Sequence, residues 1–216
     1  FRLDGAVAWA RAYVTSHGLY EVHLNGRRVG DHLFTPGWTS YSKRLQYQTH
    51  DVAALLKRGD NAVGVQLGNG WYRGNLPGGV DRRNVYGDRV ALLLQIEIAY
   101  EDGRKEVIGT DQRWKAATGS ILMSEIYHGE TYDARLEKPG WAAPGFDDQG
   151  WSTVRVVSHR KDHLVAPAGP PVRRIQELAP VKVLKTPAGD TVVDMGQNLV
   201  GWVQLKAEGT AGTTVT

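Results

Sequence analysis

The stretch Leu19-Tyr-Glu-Val-His-Leu-Asn-Gly-Arg-Arg-Val-Gly30 constrains the fold more than any other part of this chain. Tyr20, Val22 and Leu24 alternate with Glu21 and His23, giving one apolar and one polar face, as a half-buried strand requires. Asn25-Gly26 then supplies two residues that tolerate positive φ, which a type I′ hairpin turn needs. Val29 resumes the pattern on the return. A chain that opens this way is headed for antiparallel sheet.

The rest of the sequence keeps that rhythm. Ala6 to Thr15 alternates Trp9, Arg11 and Tyr13 with small apolar residues, and Leu45 to Asp51 continues in extended alternation. Asp51 is predicted to cap a single helical turn over Val52–Leu56, ended by Gly59. Ala62–Leu67 reads as a short apolar strand. Val90–Tyr100 and Lys105–Ile108 read as a hairpin about Glu101-Asp102-Gly103. Trp114, Ile121–Ile126 and Thr153–Val157 supply further short strands. Turn signals recur about every ten residues, the spacing of a sandwich rather than of βαβ units.

Composition shifts at Ala166-Pro-Ala-Gly-Pro-Pro171, where consecutive prolines make a stiff linker. Strands are predicted again at Ile175–Leu184, Thr191–Val193, Trp202–Ala207 and in Thr213–Thr216. These segments are too few to close a second sandwich. The expected organisation is therefore a β-sandwich over 1–165, a linker over 166–174 and an incomplete second sandwich over 175–216, in a piece of a longer polypeptide. Phe1 is expected to follow earlier residues, so localisation is not read from this end.

Composition excludes several functions. With no cysteine there are no disulfides, thiolate metal sites or cysteine nucleophiles. No apolar run approaches the length of a transmembrane helix. A net charge of +3 with scattered arginines lacks the basic stripe of a nucleic-acid groove. Seven Trp and nine Tyr exceed what a minimal core needs, so some are expected on the surface, stacking on sugars or packing on a neighbouring domain.

The segment Gly68 to Asp88 holds six glycines and is predicted to be a long loop, a kind of segment that is usually functional. Gly68-Asn-Gly-Trp-Tyr-Arg-Gly74 has the wrong spacing for a dinucleotide loop. Its glycines let backbone approach a ligand, and Trp71 and Tyr72 offer ring faces. Asn69, Arg82 and Asn84 are the candidate hydrogen-bonding groups for sugar hydroxyls, in a loop that also carries Asp81 and Asp88. Asp60-Asn61 is an oxygen-rich pair that suits either a hard cation such as calcium or a turn in which Asn bonds nearby backbone.

No catalytic residue is assigned. Glu130 and Asp133 are two acids three residues apart, but nothing aims them at one bond, and Arg135 is near enough to pair with either. His159 and His163 have zinc-like spacing with no third ligand in sequence. No Ser sits in a Gly-x-Ser-x-Gly elbow.

The hairpin Tyr20–Gly30, Pro36-Gly-Trp-Thr39, Tyr47–Val52, Gly68–Gly74 and Gly129–Arg135 occur in an order that resembles the N-terminal region of bacterial α-L-rhamnosidases. Asp194-Met-Gly-Gln-Asn-Leu-Val-Gly-Trp202 resembles the opening of that family's next β-sandwich. The resemblance implies an all-β chain: a jelly-roll, galactose-binding-like β-sandwich followed by the start of a second β-sandwich. It implies a parent glycoside hydrolase with inverting chemistry in a downstream α/α barrel, a partner absent from this sequence. Some jelly rolls of the family are similar to calcium-dependent rhamnose-binding modules that use an Asp-Asn pair and a Trp. The one Asp-Asn dipeptide here is Asp60-Asn61. Three functions stay open: a module binding L-rhamnose-containing glycans, a purely structural scaffold for the barrel, and a self-sufficient hydrolase that would need Glu130 and Asp133 to face one cleft.

Overall fold

In the computed structural model, which describes residues 1–78, 81–206 and 208–215, alternation along the chain becomes two facing sheets. Numbering the strands of four or more residues, β1 is Val7–His17, β2 Leu19–Leu24, β3 Gln48–Asp51, β4 Val63–Gly68, β5 Ala91–Tyr100, β6 Lys105–Gly109, β7 Ile121–Glu125 and β8 Gly129–Tyr132. The first sheet has the order β6-β5-β1-β3, all antiparallel. In the second, β2 lies between β4 and the return segment Arg27–Arg28.

The inner faces make the core. Ala10, Ala12 and Val14 of β1 stand beside Ile98, Ile96 and Leu94 of β5, and all six are buried. Tyr20, Val22 and Leu24 close on them from the opposite sheet. Burying each of the large aliphatic side chains contributes about 1.5–3 kcal/mol. Alternation puts Trp9 and Arg11 on the outer face. The hairpin turn forms as expected, with φ of 53° at Asn25 and 77° at Gly26.

Several buried polar side chains between the sheets are paired. Tyr20 Oη donates to Gln48 Oε1 at 2.7 Å, and Gln48 Nε2 to the Pro36 carbonyl at 3.2 Å. Thr15 and Thr35 donate to the carbonyls of Gln46 and Tyr20.

Several local expectations change. The helical turn after Asp51 is a 3₁₀ turn, Ala53–Leu55, with the Asp51 carboxylate accepting from the Ala53 N–H at 3.0 Å. The extended run from Leu45 is interrupted at Tyr47. The Gly68–Asp88 loop contains one helical turn, α1 (Gly70–Arg73), and residues 79 and 80 lie outside the described residues. The Thr153–Val157 strand shrinks to Ser152–Thr153, paired with Lys115–Ala116.

The chain divides into units Phe1–Arg173 and Arg174–Thr216. At the end of the first, Val172 bridges to Leu33 and Arg173 pairs with Asp31 at 3.1 Å. The second contains a hairpin of β9 (Lys182–Lys185) and β10 (Thr191–Asp194), with Val183 and Val193 exposed on it. The expected strand from Ile175 begins only at Lys182, and none forms over 202–206 or 213–215. Ala207 and Thr216 lie outside the described residues.

Candidate functional site

Register decides which residues meet. β2 and β4 run antiparallel with Leu19 opposite Gly68 and Leu24 opposite Val63. One end of the sandwich therefore carries Asn69, α1 and the loop beyond, and the other carries Asn25 and Asn61. Six strand residues separate the two ends, roughly 20 Å. The Asp60-Asn61 pair and the Trp71–Asn84 group do not form one site.

Asn61 is buried, and its carboxamide is fully used. Its Oδ1 accepts from Asn25 Nδ2 at 2.8 Å and from the Lys57 N–H at 3.0 Å, while its Nδ2 donates to the carbonyls of Lys57 and Gly59. Asp60 points outward to Arg2 at 3.1 Å. The geometry matches the turn alternative for this pair.

At the other end, aromatic rings gather on the rim. Trp38 and Trp71 stack with planes 7° apart and centroids 5.8 Å apart. Phe34 tilts onto Trp71 at 5.9 Å. Phe34 has φ 55°, a left-handed conformation that bulky residues rarely adopt, and such positions concentrate at functional sites. Trp38 and Phe34 remain 46% and 40% exposed. Both indole N–H groups are held at 3.3 Å by tyrosine hydroxyls, Trp38 by Tyr86 and Trp71 by Tyr127. Beside Tyr127 opens a cleft of about 460 Å³ whose wall includes Asn75, Pro77, Asp81 and His128.

Tyr72, a predicted stacking face, is an internal ring instead. Neighbouring α1 residues point about 100° apart, so Trp71 faces the rim while Tyr72 turns inward. His17 lies flat on Tyr72 at 4.3 Å, and Tyr41 meets it edge-on at 5.3 Å. Burial, with Asp88 nearby, pushes the Tyr72 phenol up. A Cβ at Gly87 would come 2.5 Å from the Tyr72 hydroxyl, so that position has no room for a side chain.

The loop is braced by Glu125 of β7, which the sequence reading did not single out. Its side chain is 3% exposed and takes Arg83 at 2.8 Å, Asn69 Nδ2 at 2.9 Å and the Asn75 N–H at 3.2 Å. No alternation marked it, since Ile121 and Leu122 earlier in β7 are both exposed. Asn69 thus directs its amide inward rather than to the rim. Arg82 is exposed and donates to the Pro77 carbonyl at 2.7 Å. Asn84 is also exposed, with φ 58°, and its N–H bonds the Arg73 carbonyl at 3.0 Å.

Asp133 caps the 3₁₀ turn Ala134–Leu136 and holds Arg135, which, with the Arg135 backbone N–H, lowers its carboxyl to about 2. Its carboxylate is committed to Arg135, the ion-paired arrangement that the sequence spacing allowed. Among the described residues, no group of three or more His, Asp or Glu is placed to hold a metal ion, and no helix is long and apolar enough to cross a membrane.

Fold and rim together define a jelly-roll β-sandwich of the galactose-binding-like class, continued by the first hairpin of a second sandwich. The chain belongs to the α-L-rhamnosidase N-terminal domain family, which it matches over residues 5–176; residues 184–216 match the bacterial α-L-rhamnosidase concanavalin-like domain. It is 48% identical to an α-L-rhamnosidase of Streptomyces avermitilis over 97% of this chain and 20% of that protein. It is 34% identical to one of Formosa agariphila over 99% of this chain and 23% of that protein. Among solved structures, native α-L-rhamnosidase from Aspergillus terreus superposes with a TM-score of 0.89 at 48% identity, covering 94% of this chain and 23% of that one. The Streptomyces avermitilis enzyme complexed with L-rhamnose gives 0.86 at 46% identity, covering 92% and 19%. The chain spans about a fifth of the length of these relatives.

Proposed function

We propose that this chain is the non-catalytic β-sandwich region of an α-L-rhamnosidase and presents its aromatic rim to terminal L-rhamnosyl residues. Hydrolysis is placed in an α/α barrel of the same polypeptide, against which the sandwich packs. The observation that carries the sugar-binding reading is the exposed Trp38 ring, backed by Trp71 and flanked by Phe34, with its indole orientation fixed by Tyr86. A fixed flat ring stacks on the apolar face of a pyranose with little ordering cost. Trp71 backs the platform, and the exposed Arg82 and Asn84 are the hydrogen-bonding candidates. A relative complexed with L-rhamnose supports the choice of sugar. A shallow site of this kind reaches millimolar to micromolar affinity, about −4 to −8 kcal/mol.

Mutual covering of Trp38 and Trp71 also suits a second reading, in which the rim docks on the barrel and binds no sugar. NMR titration of L-rhamnose into the chain, with calcium and then with chelator, separates the two. Shifts confined to Phe34–Trp38 and the loop after α1, abolished by Trp38→Ala, are expected. Silence under both conditions rejects the sugar reading, and loss of the shifts on chelation assigns them to a calcium-dependent site.

A further inference from the structure

Three histidines that the proposed function does not use meet behind the aromatic rim. His17, the last residue of β1, lies flat on Tyr72, centroids 4.3 Å apart and planes within 9°. His159 stands edge-on to His17 at 4.7 Å, and His163 follows it at 5.5 Å. His163 is 5% exposed, and neither of its ring nitrogens has a hydrogen-bond partner among the described residues. His17 lies more than 140 positions before His159 and His163, and only the fold brings it to them.

This packing suits neutral imidazole. A flat stack and edge contacts need no charge, and a buried ring without an acceptor has nothing to stabilise an imidazolium. The charged groups around the cluster do not alter that. Arg160 works against charge on His163. Asp162 favours it, but is itself paired with Arg160 at 2.7 Å. On the α1 side the neighbours are the phenols Tyr72, Tyr41 and Tyr86, with Asp88 acting on Tyr72.

We propose that the His17–His159–His163 cluster is a proton-operated clasp on the aromatic site. Neutral, it holds the segment around His159–His163 against His17, and His17 against Tyr72, fixing α1 and therefore Trp71. When His17 and His163 take up protons they repel one another, His17 leaves Tyr72, and α1 loosens. Burial and the neighbouring histidines hold His17 at about 4, and burial with Arg160 lowers His163, so release belongs to acid conditions. The effect on sugar rests on the function proposed above; the clasp itself does not.

The test is the indole Nε1–H region of ¹H–¹⁵N spectra of the ligand-free chain between pH 7 and 4. The Trp71 signal is expected to shift or broaden toward acid. Trp114, whose indole bonds the Gly109 carbonyl at 3.1 Å away from the rim, is expected to hold its position. His17→Phe keeps a flat ring on Tyr72 and should make the Trp71 signal independent of pH; His163→Phe is a second variant with the same expectation. Movement of Trp71 and Trp114 together, or an unchanged pH response in both variants, overturns the clasp. With L-rhamnose added, affinity should weaken at least tenfold from pH 7 to 4 in the wild type and stay level in His17→Phe. Absence of binding at either pH would reject the sugar reading and leave the clasp to stand or fall on Trp71.

Discussion

Glu125 and Arg83 form an ion pair at 2.8 Å in which the carboxylate is 3% exposed while the guanidinium still reaches water. The same carboxylate bonds Asn69 before α1 and Asn75 after it. One acid thus ties both ends of the helical turn and the following loop to β7. A Cβ at Gly74 would sit 2.3 Å from the Glu125 carboxylate, so glycine there is a condition of this brace.

Removing the brace should cost stability and order. Glu125→Ala leaves the Asn69 and Asn75 donors and Arg83 without their partner. Because Arg83 regains water, the expected loss is about 1–3 kcal/mol, below that of a wholly buried pair. Urea unfolding should show it. Hydrogen exchange should rise across residues 69–76 and 83–84 while β1 and β5 stay protected.

Asn61 anchors the opposite end. Asn61→Ala removes four hydrogen bonds at once, and a destabilisation of about 2–4 kcal/mol is expected. Asn61→Asp keeps the two acceptor bonds but sets a buried carboxylate oxygen against the Lys57 and Gly59 carbonyls, so it should destabilise at least as much as Ala. Thermal denaturation of the three proteins checks the order.

Tyr20→Phe isolates one buried hydroxyl. The ring and its packing survive, but Gln48 Oε1 loses its donor. The expected loss is about 1–2 kcal/mol, with no change in the denaturant slope, because the surface exposed on unfolding is the same.

Stability should fall as the medium is acidified from pH 6.5 to 4. Burial, reinforced by His32 and Arg28 against the opposing Asp31, holds His50 down to about 4. Between that value and the ordinary 6.5 the unfolded chain binds the proton and the folded chain does not, so protonation favours unfolding. Full passage through the window costs on the order of 2–3 kcal/mol for this ring. Denaturant midpoints measured across the range should decline toward acid, and His50→Gln should flatten the decline.

The strands were legible wherever one face of an element is buried by a neighbour close in sequence or by a regular ladder. Tyr20, Val22, Leu24 and the Asn25-Gly26 turn fall where alternation and turn chemistry put them. Ile175–Val181 misled for the opposite reason: apolar residues favour extended backbone, but a strand exists only where a partner accepts its hydrogen bonds, as it does from Lys182 on. At the site, the glycine-rich stretch around Trp71 marked the loop that carries α1. Trp38 was visible as a motif, yet nothing local could say that its ring would lie parallel to one 33 positions away.

Taken alone, the sequence determined the all-β class, the first hairpin and the inward set of side chains, because these depend on a period of two and on which residues tolerate positive φ. Tertiary structure decided that Trp71 faces the rim while Tyr72 turns inward, that Asn61 lies a strand's length from both, and that Glu125 and His17 bear on α1, with His159 packed behind His17. Register and sheet packing bring together residues remote in the chain, and no local pattern encodes which of them will share a surface.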